Sequence, residues 1–183
     1  PVSRAAMSFS DLPQIQYVEP VHEIVNIESG APVFIGNISQ TGASDRPFDD
    51  PNLPAQWHYH NDGSLANSIE GADIDLYKAW KISAGRPEVI ISVVDGGIDY
   101  DHEDLAGVVG NLAELNGEVG KDNNGNGFKN DYYGWNFIDY TNVIQADNHG
   151  THVAGTIGAI NNNGKGVCGI AGGDGVNPGV RLV

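Results

Sequence analysis

The run Val89-Ile90-Ile91-Ser92-Val93-Val94 is apolar but for one serine and rich in β-branched residues. Such a run predicts a parallel strand buried on both faces. Upstream, residues 72–84 predict a helix: Asp73 is placed to cap it, Leu76, Ala79, Trp80 and Ser83 share one face, and Gly85 closes it. Tyr132 to Ile138 is aromatic and flanked by Asp and Asn, which predicts a second strand. From His149 to Ile160 the apolar positions Val153, Ile157 and Ile160 fall at helical spacing, with Asn148 as the cap and Gly164 beyond the end. Strands and helices in this order favour an open α/β sheet covered by helices.

The first fifty residues are of mixed character. Ile15-Gln16-Tyr17-Val18-Glu19-Pro20 alternates like a strand that proline then stops, and Val33-Phe34-Ile35-Gly36 reads as another short strand. Residues 45–54, rich in Asp and Pro, read as a linker. The 183 residues can bury one sizeable core plus an extension. A net charge of −15 excludes nucleic acid as a ligand and suits solubility or divalent cations. No apolar run reaches membrane-spanning length, and no segment reads as a signal peptide. The single cysteine, Cys168, lies in an apolar stretch and is expected to be a buried, inert thiol. The chain opens on Pro1 and closes on Val180-Arg181-Leu182-Val183, which reads as an unfinished strand, so a fragment is expected. The open edges of an incomplete sheet would promote self-association.

Chemistry enters at the end of the first predicted strand. Asp95 is the first polar residue after Val94, and Gly96-Gly97 lets the backbone turn sharply there. Open α/β sheets place reactive groups at the carboxyl ends of their strands. A buried carboxylate in that position needs a partner. An imidazole serves: the carboxylate fixes its tautomer and stabilises the imidazolium formed on proton transfer. His149, at a helix start, has its basicity lowered by the helix dipole and raised by Asp95. Taken singly, Asp95 reads as a turn residue and His149 as a helix-terminal one.

Together, Val93-Val94-Asp95-Gly96-Gly97-Ile98-Asp99-Tyr100-Asp101-His102-Glu103-Asp104-Leu105 and His149-Gly150-Thr151-His152-Val153-Ala154-Gly155-Thr156 resemble the subtilisin-like serine proteases (subtilases). The two motifs come in the family's order, and the resemblance runs from about Gln56 to Val183. It implies a mostly parallel sheet with helices on both faces, incomplete in this chain, with residues 46–183 as the amino-terminal part of a catalytic domain. It also implies Asp95 as the orienting carboxylate, His149 as general base and acid, and His152 as a structural second histidine. A protein or peptide substrate, the remainder of the catalytic domain as partner, and a secreted or cell-envelope location follow from the same resemblance. The order Asp, His, Ser is that of subtilisin itself. Here every serine lies at or before Ser92, so the nucleophile motif is missing, and no oxyanion-hole asparagine can be assigned. Without them the chain is expected to be inactive alone. The alternative is a non-enzymatic calcium-binding or adhesion module on the same scaffold. Ile15 to Pro20 further resembles the closing strand of a subtilase propeptide, and Asp50 to Trp57 the start of a mature domain. Residues 1–45 would then be propeptide remnant or linker.

Calcium is the second implied chemistry. Asp122-Asn123-Asn124-Gly125-Asn126-Gly127 places oxygen side chains at alternate positions with glycine sixth, close to an EF-hand loop. Tyr133 stands at the twelfth position, where a bidentate Glu belongs. Two readings stay open: a calcium loop with ligands from Asp122, Asn124, Asn126 and Asp131, or an Asn-Gly turn that needs no metal. The family resemblance implies another calcium site at Gln56, Asp104, the Asn162 side chain and the carbonyls of Ile160 and Val167. Its loop is one residue longer than in the archetype, and Lys165 brings a positive charge close by.

Overall fold

The computed structural model describes residues 46–183, which belong to one compact unit. The strands read at Ile15–Pro20 and Val33–Gly36, and the propeptide reading of residues 1–45, lie outside the described residues. After a 3-10 turn at Leu53–Ala55 come α1 (Leu76–Ala79), β1 (Ile90–Ile91), α2 (Leu112–Leu115), α3 (Asn148–Gly158) and β2 (Arg181–Leu182). The strands pair in parallel, Ile90 opposite Arg181 and Ile91 opposite Leu182. Parallel pairing demands a crossover, and here it runs from the end of β1 through α2 and α3. Leu182 is also tied on its other side, donating to Val108 O at 2.9 Å and accepting from Gly110 N at 2.8 Å. β2 is therefore hydrogen-bonded to β1 on one edge and, at Leu182, to the Val108–Gly110 backbone on the other.

Two apolar clusters fill the interior. One gathers Ile98, Leu105, Val109, Ala154, Val180 and Leu182, with Ile91, Val93 and Ile157 packed against it. Helix α3 lies on β2 through small residues: a Cβ on Gly158 would sit 3.4 Å from Val180 and 3.5 Å from Leu182. The other gathers Phe48, Leu53, Tyr59, Leu76, Trp80, Ala84 and Cys168. Its aromatics meet edge to face, Phe48–Trp80 at 4.9 Å and Tyr59–Trp80 at 5.7 Å. Their polar ends find backbone acceptors: Tyr59 Oη donates to Cys168 O at 3.0 Å and Trp80 Nε1 to Ile170 O at 2.8 Å. Burial pushes the Tyr59 phenol up to about 12. Among the described residues no helix is long and apolar enough to cross a membrane.

Several expectations are corrected by the structure. Residues 46–54 are no linker, because Phe48, Asp50 and Leu53 are buried in the core. The helix expected over residues 72–84 shrinks to α1, since the Asp73 carboxylate is engaged by the backbone N–H of Asn61 at 2.8 Å and of Asp75 at 2.6 Å. Asp75 takes a left-handed φ of 54°, which delays the helix to Leu76. Leu76 and Trp80 face the core as expected, whereas Ala79 and Ser83 are exposed. The run 89–94 does not bury both faces. Ile91 and Val93 pack inward, while Val89, Ile90 and Val94 face out, Val94 being 94% exposed. No strand forms over residues 132–138. Asn136 Oδ1 accepts from the N–H of both Ile138 and Asp139 at 3.0 Å, closing a turn, and the aromatics pair with other rings instead. Tyr133 stacks on Tyr100 at 3.9 Å, and Trp135 meets Phe128 at 4.7 Å.

The segment after α2 is organised by Glu114, which is 1% exposed. Its carboxylate accepts from the backbone N–H of Asn123 and Asn130 and from Asn123 Nδ2. Burial pushes this carboxyl upward, but the hydrogen bonds from Asn123 and Asn130 outweigh it and hold the group below the usual range. The ionised form is therefore the one that fits the fold.

Leu182→Ala should lower stability by about 3 kcal/mol through the lost contacts and residual cavity, read as a reduced urea midpoint. The folded-state value of Glu114 is depressed, so its stabilisation is present at neutral pH and fades as pH falls through the carboxylate range. Glu114→Gln should then be less stable near neutrality and lose less on acidification to about pH 3 than the unmodified chain. An unchanged pH slope in chemical denaturation would contradict this.

Candidate active site

Asp95 stands four residues after the end of β1, and His149 is the second residue of α3. His149 Nδ1 lies 2.8 Å from Asp95 Oδ2 and 3.0 Å from Oδ1. The Asp95 side chain is 16% exposed and that of His149 52%, and both residues taken whole are exposed, so the pair lies at the surface. Hydrogen bonds from His149 and from Gly96 N, the latter at 2.7 Å, hold the Asp95 carboxyl below its usual range. An ionised carboxylate can only accept. The proton of this contact therefore sits on Nδ1, which leaves Nε2 as the basic nitrogen.

The backbone explains how two residues so far apart in sequence meet. Gly97 adopts φ 144°, and a Cβ there would overlap the Gln145 carbonyl. A Cβ on Gly150 would overlap the Gly97 carbonyl oxygen and come within 3.2 Å of Asp95 Cβ. Glycine at both positions lets the first turn of α3 rest directly on the turn after β1. The cap of α3 is Asp147, not the expected Asn148, which is already helical. Asp147 Oδ2 accepts from Gly150 N at 2.9 Å. Thr151 Oγ1 donates to Asp147 O and accepts from Asp99 N at 2.9 Å, tying the helix to the Asp95 turn a second time. Asp147 thus joins the pair: ligand-type atoms of Asp95, Asp147 and His149 lie within 4.8 Å of one another. His152 acts instead on His58, whose basicity is lowered by burial and then by His152.

The two sets of calcium-type residues are placed differently. Asp122 Oδ1 accepts from Gly125 N at 2.7 Å and Asn126 N at 3.1 Å, and its Oδ2 from Gly127 N at 2.8 Å. Asn124 Oδ1 accepts from Asn126 N, and Asn126 Nδ2 donates to Asp131 Oδ2 at 2.8 Å. Asp131 is 6% exposed and its Oδ1 is buried without a hydrogen-bond donor. A buried anionic oxygen in that condition is costly unless a further donor or a cation meets it. In the other set, Gln56 forms a reciprocal pair with the Cys168 backbone, both bonds 2.8 Å. Asp104 accepts from Asn163 Nδ2 and Val167 N at 2.8 Å, and its carbonyl accepts from Ile160 N. Asn163 rather than Asn162 thus reaches Asp104, while Asn162 Oδ1 accepts from Asp49 N at 3.1 Å. Asp50, which the sequence reading missed, binds the N–H of Asn162 and Asn163 and the Cys168 thiol. Burial and then Asp50 push that thiol far up, which makes it the inert group expected.

The matched region brackets this geometry. The model of the subtilase family matches residues 86–183. Subtilisin-like protease 1 of Plasmodium berghei (strain Anka) is 48% identical over 95 residues, covering 51% of this chain. The extracellular basic protease of Dichelobacter nodosus is 31% identical over 94% of the chain. The chain spans 15% of the length of the first relative and 29% of the second. A solved protease of Pseudoalteromonas arctica covers 75% of the chain at 29% identity with a TM-score of 0.42, the chain spanning 38% of it. With the family's match running through both the Asp95 turn and the His149 helix, the chain belongs to the subtilase family.

Proposed function

We propose that this chain supplies the acid–base half of a serine endopeptidase. The observation that carries the reading is the 2.8 Å contact between His149 Nδ1 and Asp95, made across a turn and a helix start that pack without intervening side chains. No serine follows Ser92, so the nucleophile would come from polypeptide outside these 183 residues, and the chain alone would not hydrolyse peptides. In the assembled site His149 Nε2 takes the proton of the serine hydroxyl as its oxygen attacks the scissile carbonyl carbon. Asp95 stabilises the imidazolium, which then returns the proton to the departing amine and leaves an acyl-enzyme for water to cleave. The substrate is a protein or peptide, and the location secreted or cell-envelope.

Calcium is part of the same proposal. Asp122, Asn124, Asn126 and Asp131 would hold one ion, whereas Gln56, Asp104 and Asn162 are each engaged by other partners and do not form a second ligand set. The support for the ion is the orphaned Asp131 Oδ1. It would offset carboxylate repulsion in a chain of net charge −15.

The test of the triad uses the polypeptide extended through its serine, treated with a serine-reactive fluorophosphonate. Labelling should occur, and His149→Ala should slow it by about 10³-fold or more, with Asp95→Asn lowering peptide hydrolysis about 10⁴-fold. A folded protein that takes no label would favour the calcium-binding or adhesion scaffold instead. For the metal, calcium at about 100 times its Kd should add about 2.7 kcal/mol, seen as a raised Tm that a chelator reverses. Asp131→Asn should remove most of that increment; an equal increment in the variant would remove Asp131 from the ligand set.

A further inference from the structure

We propose that Asp147 is the positioning residue that sets His149 against Asp95, and that it acts through geometry rather than charge. The proposal rests on reading Asp95 and His149 as the acid–base pair. Asp147 touches both elements that carry the pair. On the helix side it is the extended residue at the N-cap, with φ −128° and ψ 135°. Its Oδ2 accepts from Gly150 N at 2.9 Å, and its carbonyl accepts from Thr151 N at 3.0 Å and from Thr151 Oγ1. On the turn side its carboxyl group lies against Gly96: a Cβ there would meet Asp147 Cγ at 3.0 Å and Oδ2 at 3.3 Å. Gly96 is the residue whose N–H donates to Asp95 Oδ1.

His149 sits in the first turn of α3, where helices fray because the leading N–H groups have no partner inside the helix. Asp147 supplies a partner to one of them and anchors Thr151, which also reaches Asp99. Fraying of this turn would swing the imidazole away from Asp95. Asn and Ser satisfy a helix N-cap as well as Asp does, so the negative charge is dispensable for this role.

The test is proton NMR on the 183-residue chain, following the far-downfield resonance of an imidazole N–H held by a carboxylate, identified by its loss in His149→Ala. Asp147→Ala should broaden or abolish that resonance, while Asp147→Asn and Asp147→Ser should keep it. Gly96→Ala leaves the cap residue in place but presses on it from the turn side, and should shift or weaken the signal. Leu182→Ala loosens the floor on which the same helix rests without touching its first turn and, in protein that remains folded, should leave the signal unchanged. A resonance that survives both Asp147→Ala and Gly96→Ala overturns the proposal. So does its loss in Asp147→Asn, which would make charge the cause, or in folded Leu182→Ala, which would make general support of the helix the cause. If the unmodified chain shows no such resonance, the Asp95–His149 pair fails and the proposal falls with it. A signal that ignores Asp147 removes only the positioning role.

Discussion

The architecture depends on one close approach, the first turn of α3 lying on the turn that follows β1. At Gly150 the helix comes so near the Gly97 carbonyl that any side chain would displace it. Because the approach is backbone to backbone, main-chain geometry brings the elements that carry Asp95 and His149 together, and the 2.8 Å side-chain contact is made across them. Strand β2 holds the other end of that geometry. Leu182 is bonded along both edges and packed under Ala154 and Gly158, so α3 has a fixed floor as well as a fixed start.

A second theme is the fate of negative charge. A chain of net charge −15 with buried Asp50, Asp104, Glu114 and Asp131 would be strained if those groups met only one another. Instead, backbone N–H groups of loops turn inward upon them. Asp50 and Asp104 bind the loop at residues 160–167, and Glu114 and Asp122 bind the loop at residues 122–131. Irregular segments that form no ladders thus satisfy their donors on carboxylates, and the acidic composition is part of how long loops are held. Asp131 Oδ1 is the exception among these buried carboxylates, enclosed with no donor upon it.

Much of the site was legible in the residues alone. Taken singly, Asp95 read as a turn residue and His149 as a helix-terminal one; the two motifs together, in the order of the subtilase family, made them a pair. Secondary structure was less legible, for a physical reason visible at each error. Asp73 could cap a helix or bind loop N–H groups, and only the nearness of Asn61 decided between them. The aromatics at residues 132–138 have strand propensity, but partners such as Tyr100 and Phe128 drew them into ring stacking. Residues 46–54 looked like a linker because Asp and Pro are common in linkers; Phe48 and Leu53 had a core to enter that the sequence did not display.

The sequence by itself determined which groups could do acid–base chemistry, their order, and the Gly96-Gly97 pair that lets the backbone turn after Asp95. Those are local properties, carried by residue type and spacing. Tertiary structure alone decided the cap at Asp147, the role of Glu114 and Asp50, and which faces of β1 are covered. Each of these depends on a partner far along the chain, or a few residues off along a turn, and a donor finds its acceptor only after the chain has folded.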